Sequence, residues 1–164
     1  GQLDCQSIPM EPLDILDETI NAFGSRFAEA GLSIDWKGKA GPSPVTLGDP
    51  ARLKQVFSNL FENTLRYTDE GGGIRIESTL VQDRLVIYFD DSEPGVPDEA
   101  LSRLFERFFR VDASRSRGHG GSGIGLSVCR SLIEAMKGTI KATHSELGGL
   151  RIILTLPWLA GGNT

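Results

Sequence analysis

The chain has 164 residues, 39% hydrophobic and 24% charged, with a net charge of −5 at neutral pH. That length suits one sizeable core, the acidic balance gives an extended nucleic-acid footprint little electrostatic support, and no run of about twenty apolar residues offers a membrane span. Cys5 and Cys129 lie far apart without CxxC or metal-ligand spacing, which favours reduced, non-metal thiols of an intracellular protein, and the start Gly-Gln-Leu suggests a piece of a longer chain.

Residues 1–10 are expected to be a flexible end. Leu13, Leu16, Ile20, Phe23 and Phe27 then repeat at three and four residues between Pro12 and Gly31, which predicts an amphipathic helix. Leu32 to Trp36 and Val45 to Leu47 read as short strands around the turn-rich GKAGPSP. Asp49-Pro50 supplies an N-cap and a first-turn proline for a second helix running to about Tyr67. Ile74, Ile76 and Leu80 alternate with polar residues, Leu85 to Phe89 is continuously apolar, and Gln82-Asp83 between them predicts a hairpin. Asp98 to Phe109 is helical in pattern, whereas Asp112 to Gly125 has no period and reads as a long mobile loop. Val128, Cys129, Leu132, Ile133 and Met136 restore a helical stripe; strands at Thr139 to Thr143 and Leu150 to Leu156 flank Gly148-Gly149, and 158–164 reads as a second flexible end. The expected class is α+β, a single domain with helices packed on one face of a mixed, mainly antiparallel sheet.

Three stretches raise functional questions. RGHGGSGIGLSVC carries five glycines between Gly118 and Gly125, and Gly118, Gly120 and Gly123 formally satisfy GxGxxG. The preceding DASRSR is no strand, so a dinucleotide site fails; Ile124 stands where a P-loop needs lysine, and no V-A-I-K strand follows for a protein-kinase loop. What remains open is either a flexible surface loop or bare amides and a helix start aimed at an anion. On the second helix, Asn59, Asn63 and Arg66 share an edge. They are a solvated face, or two carboxamide oxygens for a hard cation such as Mg²⁺ with an arginine for phosphate. Asp90-Asp91-Ser92-Glu93-Pro94-Gly95 ends an apolar strand as an acidic turn, or as a carboxylate for a heterocyclic amino group, a group adenine presents where guanine has a carbonyl. Arg103, Arg107, Arg110, Arg115 and Arg117 follow. Arg103 and Arg107 read best as the solvated side of the helix, while the group as a whole could neutralise a triphosphate.

The order of NLFENTLRYT (59–68), DSEPGVP (91–97), LFERFFRVD (104–112) and GGSGIGL (120–126) resembles the N, G1, F and G2 boxes of the ATP-binding catalytic domain of sensor histidine kinases, most of all the BaeS-type envelope-stress sensors. The resemblance runs from about Ile8 to Pro157. It implies the Bergerat fold, a two-layer α/β sandwich, with ATP and Mg²⁺ as cofactors. It also implies roles: Asn63 as main Mg²⁺ ligand with Asn59 accessory, both counted as catalytic; Arg66 and Arg110 on phosphate; Tyr67 lining the adenine pocket, with Val96 also among the nucleotide-binding residues. Asp91 would accept the adenine amino hydrogen, with Gly95 giving the ring room. Gly120, Gly121, Ser122, Gly123, Ile124 and Gly125 would form the phosphate loop, Leu126 would start the next helix, and an ATP lid would occupy about 110–123, its stem anchored by Phe105, Phe108 and Phe109. Glu93 replaces the first glycine of the usual DxGxG.

Neither His119 nor His144 lies in an H-E-x-x-T-P-like context, so the phosphoacceptor is expected on a separate dimerisation domain absent from this chain. His119 would at most brush the phosphates; His144 reads as a plain strand residue. The resemblance further implies a cognate response regulator as indirect partner, no nucleic acid, a monomeric fragment, and a cytoplasmic domain of a bacterial inner-membrane kinase. The rivals are an ATPase of the gyrase type, in which a glutamate stands where this chain has Asn59, and a nucleotide-binding module without phosphotransfer; Glu62 is a displaced substitute for that glutamate.

Overall fold

The computed structural model describes residues 4–39, 42–109 and 124–159. In chain order the elements are β1 (Ile8–Met10), α1 (Pro12–Glu29), β2 (Ser33–Trp36), β3 (Thr46–Gly48), α2 (Pro50–Tyr67) and β4 (Gly73–Val81), followed by β5 (Arg84–Ser92), α3 (Asp98–Leu101), α4 (Ile124–Ala135), β6 (Thr139–His144) and β7 (Gly148–Pro157). A five-stranded sheet runs β2-β4-β5-β7-β6, with β2 parallel to β4 and the other neighbours antiparallel. The α+β class and the mixed, mainly antiparallel sheet are thus as expected.

Alternation along the strands builds the two layers. Leu85, Ile87 and Phe89 of β5 face the same side as Ile74 and Ile76 of β4 and Ile152, Leu154 and Leu156 of β7, and all are buried. Against them pack Leu16, Phe23 and Phe27 of α1, Leu53, Phe57, Leu60 and Phe61 of α2, and Cys129, Leu132 and Ile133 of α4. Phe61 links the layers, its ring 5.4 Å from Phe23, 6.0 Å from Phe27 and 6.1 Å from Phe89. Each such fully buried side chain contributes about 1.5–3 kcal/mol through removal from water.

The second helix starts as its sequence predicts: Asp49 Oδ1 accepts from the amides of Ala51 and Arg52 at 3.1 and 3.3 Å, and Pro50 occupies the first turn. Its other oxygen accepts from Gln6 N at 2.9 Å. That bond, with the Ile8–Met10 strand paired antiparallel to Thr46–Gly48, corrects the expectation of a flexible end through residue 10. A three-residue strand shows no periodicity, and its partner lies far along the chain.

A second correction falls between 98 and 109. Only Asp98–Leu101 is helix; beyond it Arg103, Glu106 and Phe109 donate to the carbonyls of Ala100, Arg103 and Glu106 in successive turns. Turns three residues long give the same spacing of apolar residues as a helix. Leu104 and Phe105 are buried and Phe109 packs on the core, but Phe108, expected to anchor this stem, has φ +66° and is 63% exposed. Arg103 pairs with Glu106 at 3.1 Å and Arg107 lies over Phe108, consistent with a solvated face.

Candidate functional site

The strand β5 carries Asp91 out of the sheet onto the helix side, directly above α2. Its Oδ1 accepts from the backbone amide of Leu150 at 2.7 Å, and the Thr64 hydroxyl on α2 lies 3.4 Å from Oδ2. The donor on β7 is supplied by a bulge: Asp90 pairs with Arg151 and Ser92 with Gly148, so β7 uses one residue more than β5 opposite Asp91. The extra residue takes Leu150 N–H out of the ladder and aims it at the carboxylate. Gly149 makes this approach possible, since a Cβ there would stand 2.3 Å from Asp91 Oδ1 and from Ser92 O. Burial pushes the Asp91 carboxyl up to about 7 from an ordinary 3.8; the Asp90 charge adds to that, while the Leu150 amide and Thr64 hydroxyl oppose it.

After Asp91 the chain turns sharply. Ser92 Oγ accepts from Gly73 N at 2.9 Å and Asp69 N donates to Glu93 O at 3.0 Å, so the loop is tied to the connection leaving α2. Gly95 has φ +71°, and a Cβ there would meet Gly148 O at 2.9 Å, so both conformation and space require glycine. Glu93 does not prevent this closure: it is exposed, and its side chain lies over Gly148 while its carbonyl holds the Asp69 amide. Val96, half-buried, packs against the core beyond the turn.

Asn59 and Asn63, one helical turn apart on α2, are both half-buried, as are Arg66 and Tyr67 in its last turn. Asn59 hydrogen-bonds the buried Cys129 of α4, whose thiol burial pushes up to about 12. Glu62 turns the other way and pairs with Arg26 of α1 at 2.5 Å. Two carboxamides are neutral, hard oxygen donors, suited to a cation that keeps other ligands from water or phosphate. Among the described residues no group of three or more His, Cys, Asp or Glu is arranged to hold a metal ion.

Asn59, Asn63, Arg66 and Tyr67 thus lie along the C-terminal half of α2, and Asp91, Gly95 and Val96 at or just beyond the end of β5, the two elements joined by the Thr64–Asp91 contact. Ile124 and Gly125 open α4, where Leu126 is half-buried against the core. Arg110, Gly120, Gly121, Ser122 and Gly123, with His119, lie outside the described residues. His144 ends strand β6, as expected of a strand residue, and its exposed Nε2 pairs with Asp98 Oδ1 at the start of α3. Sequence reasoning did not single out Thr64 or Leu150, and took Gly148-Gly149 only as the break between two strands.

Residues 48–160 match the family model of histidine kinase-, DNA gyrase B- and HSP90-like ATPases. The signal transduction histidine-protein kinase BaeS of Escherichia coli K12 is 43% identical over 96% of this chain, which spans 33% of that relative's length. The catalytic domain of the histidine kinase ThkA superposes with a TM-score of 0.77 at 24% identity, covering 93% of this chain and 95% of that one. Full-length ShkA, solved in complex with AMPPNP, gives a TM-score of 0.77 at 27% identity over 96% of this chain and 32% of its own.

Proposed function

The chain belongs to the histidine kinase-, DNA gyrase B- and HSP90-like ATPase family as the catalytic domain of a histidine kinase, and on that premise we propose that it binds Mg·ATP and delivers the γ-phosphoryl group to a histidine on a separate dimerisation domain. The observation that carries this reading is the held carboxylate of Asp91: one oxygen is fixed by Leu150 N–H, and the other is left with only a long contact to Thr64, beside a glycine turn. Such an acceptor suits the adenine amino group and repels the carbonyl that guanine offers there. Tyr67 and Val96 line the base, and Gly95 lets it approach the backbone.

Asn63, with Asn59, would hold Mg²⁺ together with the nucleotide phosphates. Bound there, such an ion would supply charge neutralisation on the nucleotide's phosphates. Arg66 makes no ion pair among the described residues and is free to meet a phosphate; Arg110 and the amides of 120–125 would serve the same end, and Leu126 packs the start of α4 on the core. The protein's task is to position and to neutralise, since the acceptor imidazole is itself the nucleophile: its nitrogen bonds to the γ-phosphorus as the bridging oxygen leaves with ADP. A lid over 110–123 would cover the phosphates.

The parent protein in this reading is a bacterial inner-membrane sensor kinase with this domain in the cytoplasm. Its partners are the dimerisation domain and, indirectly, a response regulator; the piece itself would be a monomer without nucleic-acid affinity. No helix among the described residues is long and apolar enough to cross a membrane. Against a gyrase-type ATPase stands the pairing of Glu62 with Arg26, which leaves the amide of Asn59 where a water-activating base would be required. The test is calorimetric titration with ATP and GTP. ATP should bind at least roughly tenfold tighter, and Asp91→Asn should remove that preference; equal affinities in the unmodified chain would sink the adenine assignment.

A further inference from the structure

On the sheet face away from the helices, Arg75, Asp90 and Arg151 stand side by side on β4, β5 and β7 as direct cross-strand partners. Asp90 is 0% exposed although it lies on the open face. Arg151 Nε donates to both of its oxygens, at 3.0 and 3.2 Å, and Arg75 Nη2 lies 4.0 Å from Oδ2. Arg75 Nη2 also donates to Glu146 Oε1 at 2.6 Å, and the Arg151 guanidinium sits over the Tyr88 ring at 4.4 Å.

A carboxylate taken wholly out of water costs several kcal/mol unless paired, and on this face it contributes nothing to the apolar core. Its position gives it another use. Asp90–Arg151 is the last in-register pair before the β7 bulge, and Asp91, the next residue, points through to the opposite face. Glu146 belongs to the turn leading to Gly148 and Gly149, the residues against which Asp91 and Gly95 close. The two arginines therefore tie together β4, β5, β7 and the β6–β7 turn at the one place where their register decides whether Leu150 N–H reaches Asp91. A slip of one residue would carry Asp91 to the wrong face.

We propose that Arg75, Asp90, Arg151 and Glu146 form the positioning element of the base-recognition site, acting from behind the sheet to hold the bulge that aims Asp91, and so setting affinity for adenine and selectivity against guanine. The inference rests on Asp91 as the adenine acceptor. Both arginines are about one-quarter to one-third exposed, so their replacement opens no cavity in the core.

The test is a double-mutant cycle on this chain: Arg151→Ala, Asp91→Asn and the pair, each titrated with Mg·ATP and Mg·GTP, with thermal unfolding to verify folding. Arg151→Ala should weaken ATP binding about tenfold, narrow the ATP-to-GTP ratio, and add nothing further in the Asp91→Asn background. Additive losses, or an ATP affinity unchanged by Arg151→Ala while Asp91→Asn loses it, overturn the positioning role alone. No loss in Asp91→Asn overturns the adenine reading and the proposal with it. Should Arg151→Ala fail to fold, Arg75→Gln, which keeps the Asp90–Arg151 pair and releases Glu146, goes through the same cycle with the same expected non-additivity.

Discussion

Nucleotide affinity should titrate through Asp91. In the free protein burial holds this carboxyl at about 7, so lowering the pH from 8 to 6 takes it from about nine-tenths ionised to about one-tenth. A proton on Oδ2 stands where the adenine amino hydrogen must land, and only the ionised form is competent. Apparent affinity scales with the competent fraction, which gives about a tenfold loss of ATP binding over those two pH units. The assay is the Kd for Mg·ATP at constant ionic strength, with Asp91→Asn as control, since that variant keeps the phosphate contacts and reports the titration of the nucleotide itself. An equal pH slope in both proteins would refute the reasoning. Stability of the nucleotide-free chain should move oppositely. The folded-state value lies above the ordinary 3.8, so between these the folded chain binds the extra proton; this group's contribution is greatest below 3.8 and is lost as pH rises through about 7. Asp91→Asn should flatten that part of the curve.

Asn63→Ala should abolish most of the Mg²⁺ enhancement of ATP binding, a loss of roughly tenfold or more seen by titrating with and without the metal. Unchanged coupling to Mg²⁺ would place the ion elsewhere. Glu62→Gln should leave basal ATP hydrolysis unaltered and shift stability by less than about 1 kcal/mol, because the ion pair with Arg26 is half exposed; a marked fall in hydrolysis would revive the ATPase reading.

Elements with strong local signals were legible in the sequence. The first long helix carried an apolar stripe between Pro12 and Gly31, the second an N-cap and a first-turn proline, and the Gln82-Asp83 hairpin sat between an alternating and a continuous apolar run. What escaped was non-local or imitated something else. Ile8–Met10 becomes a strand only through Thr46–Gly48, and the turns from Ser102 to Phe109 repeat every three residues and so resemble a helix. The same division holds at the site. Asp91 was visible as a carboxylate ending an apolar strand, and Asn59 and Asn63 as polar residues at the edge of a helix. Leu150 N–H and Gly149 were not, because a bulge is a property of two paired strands, and Asp90 looked like one more acidic residue of a turn until Arg75 and Arg151 were found on either side of it.

The central claim is tested most directly by mixing this chain, Mg²⁺ and γ-labelled ATP with a separately produced dimerisation domain bearing the acceptor histidine. The account predicts acid-labile, alkali-stable label on that partner, absent when its histidine is replaced and lost with Asn63→Ala. Label recovered only as free phosphate would contradict it and favour an ATPase; bound nucleotide with neither product would favour a regulatory module.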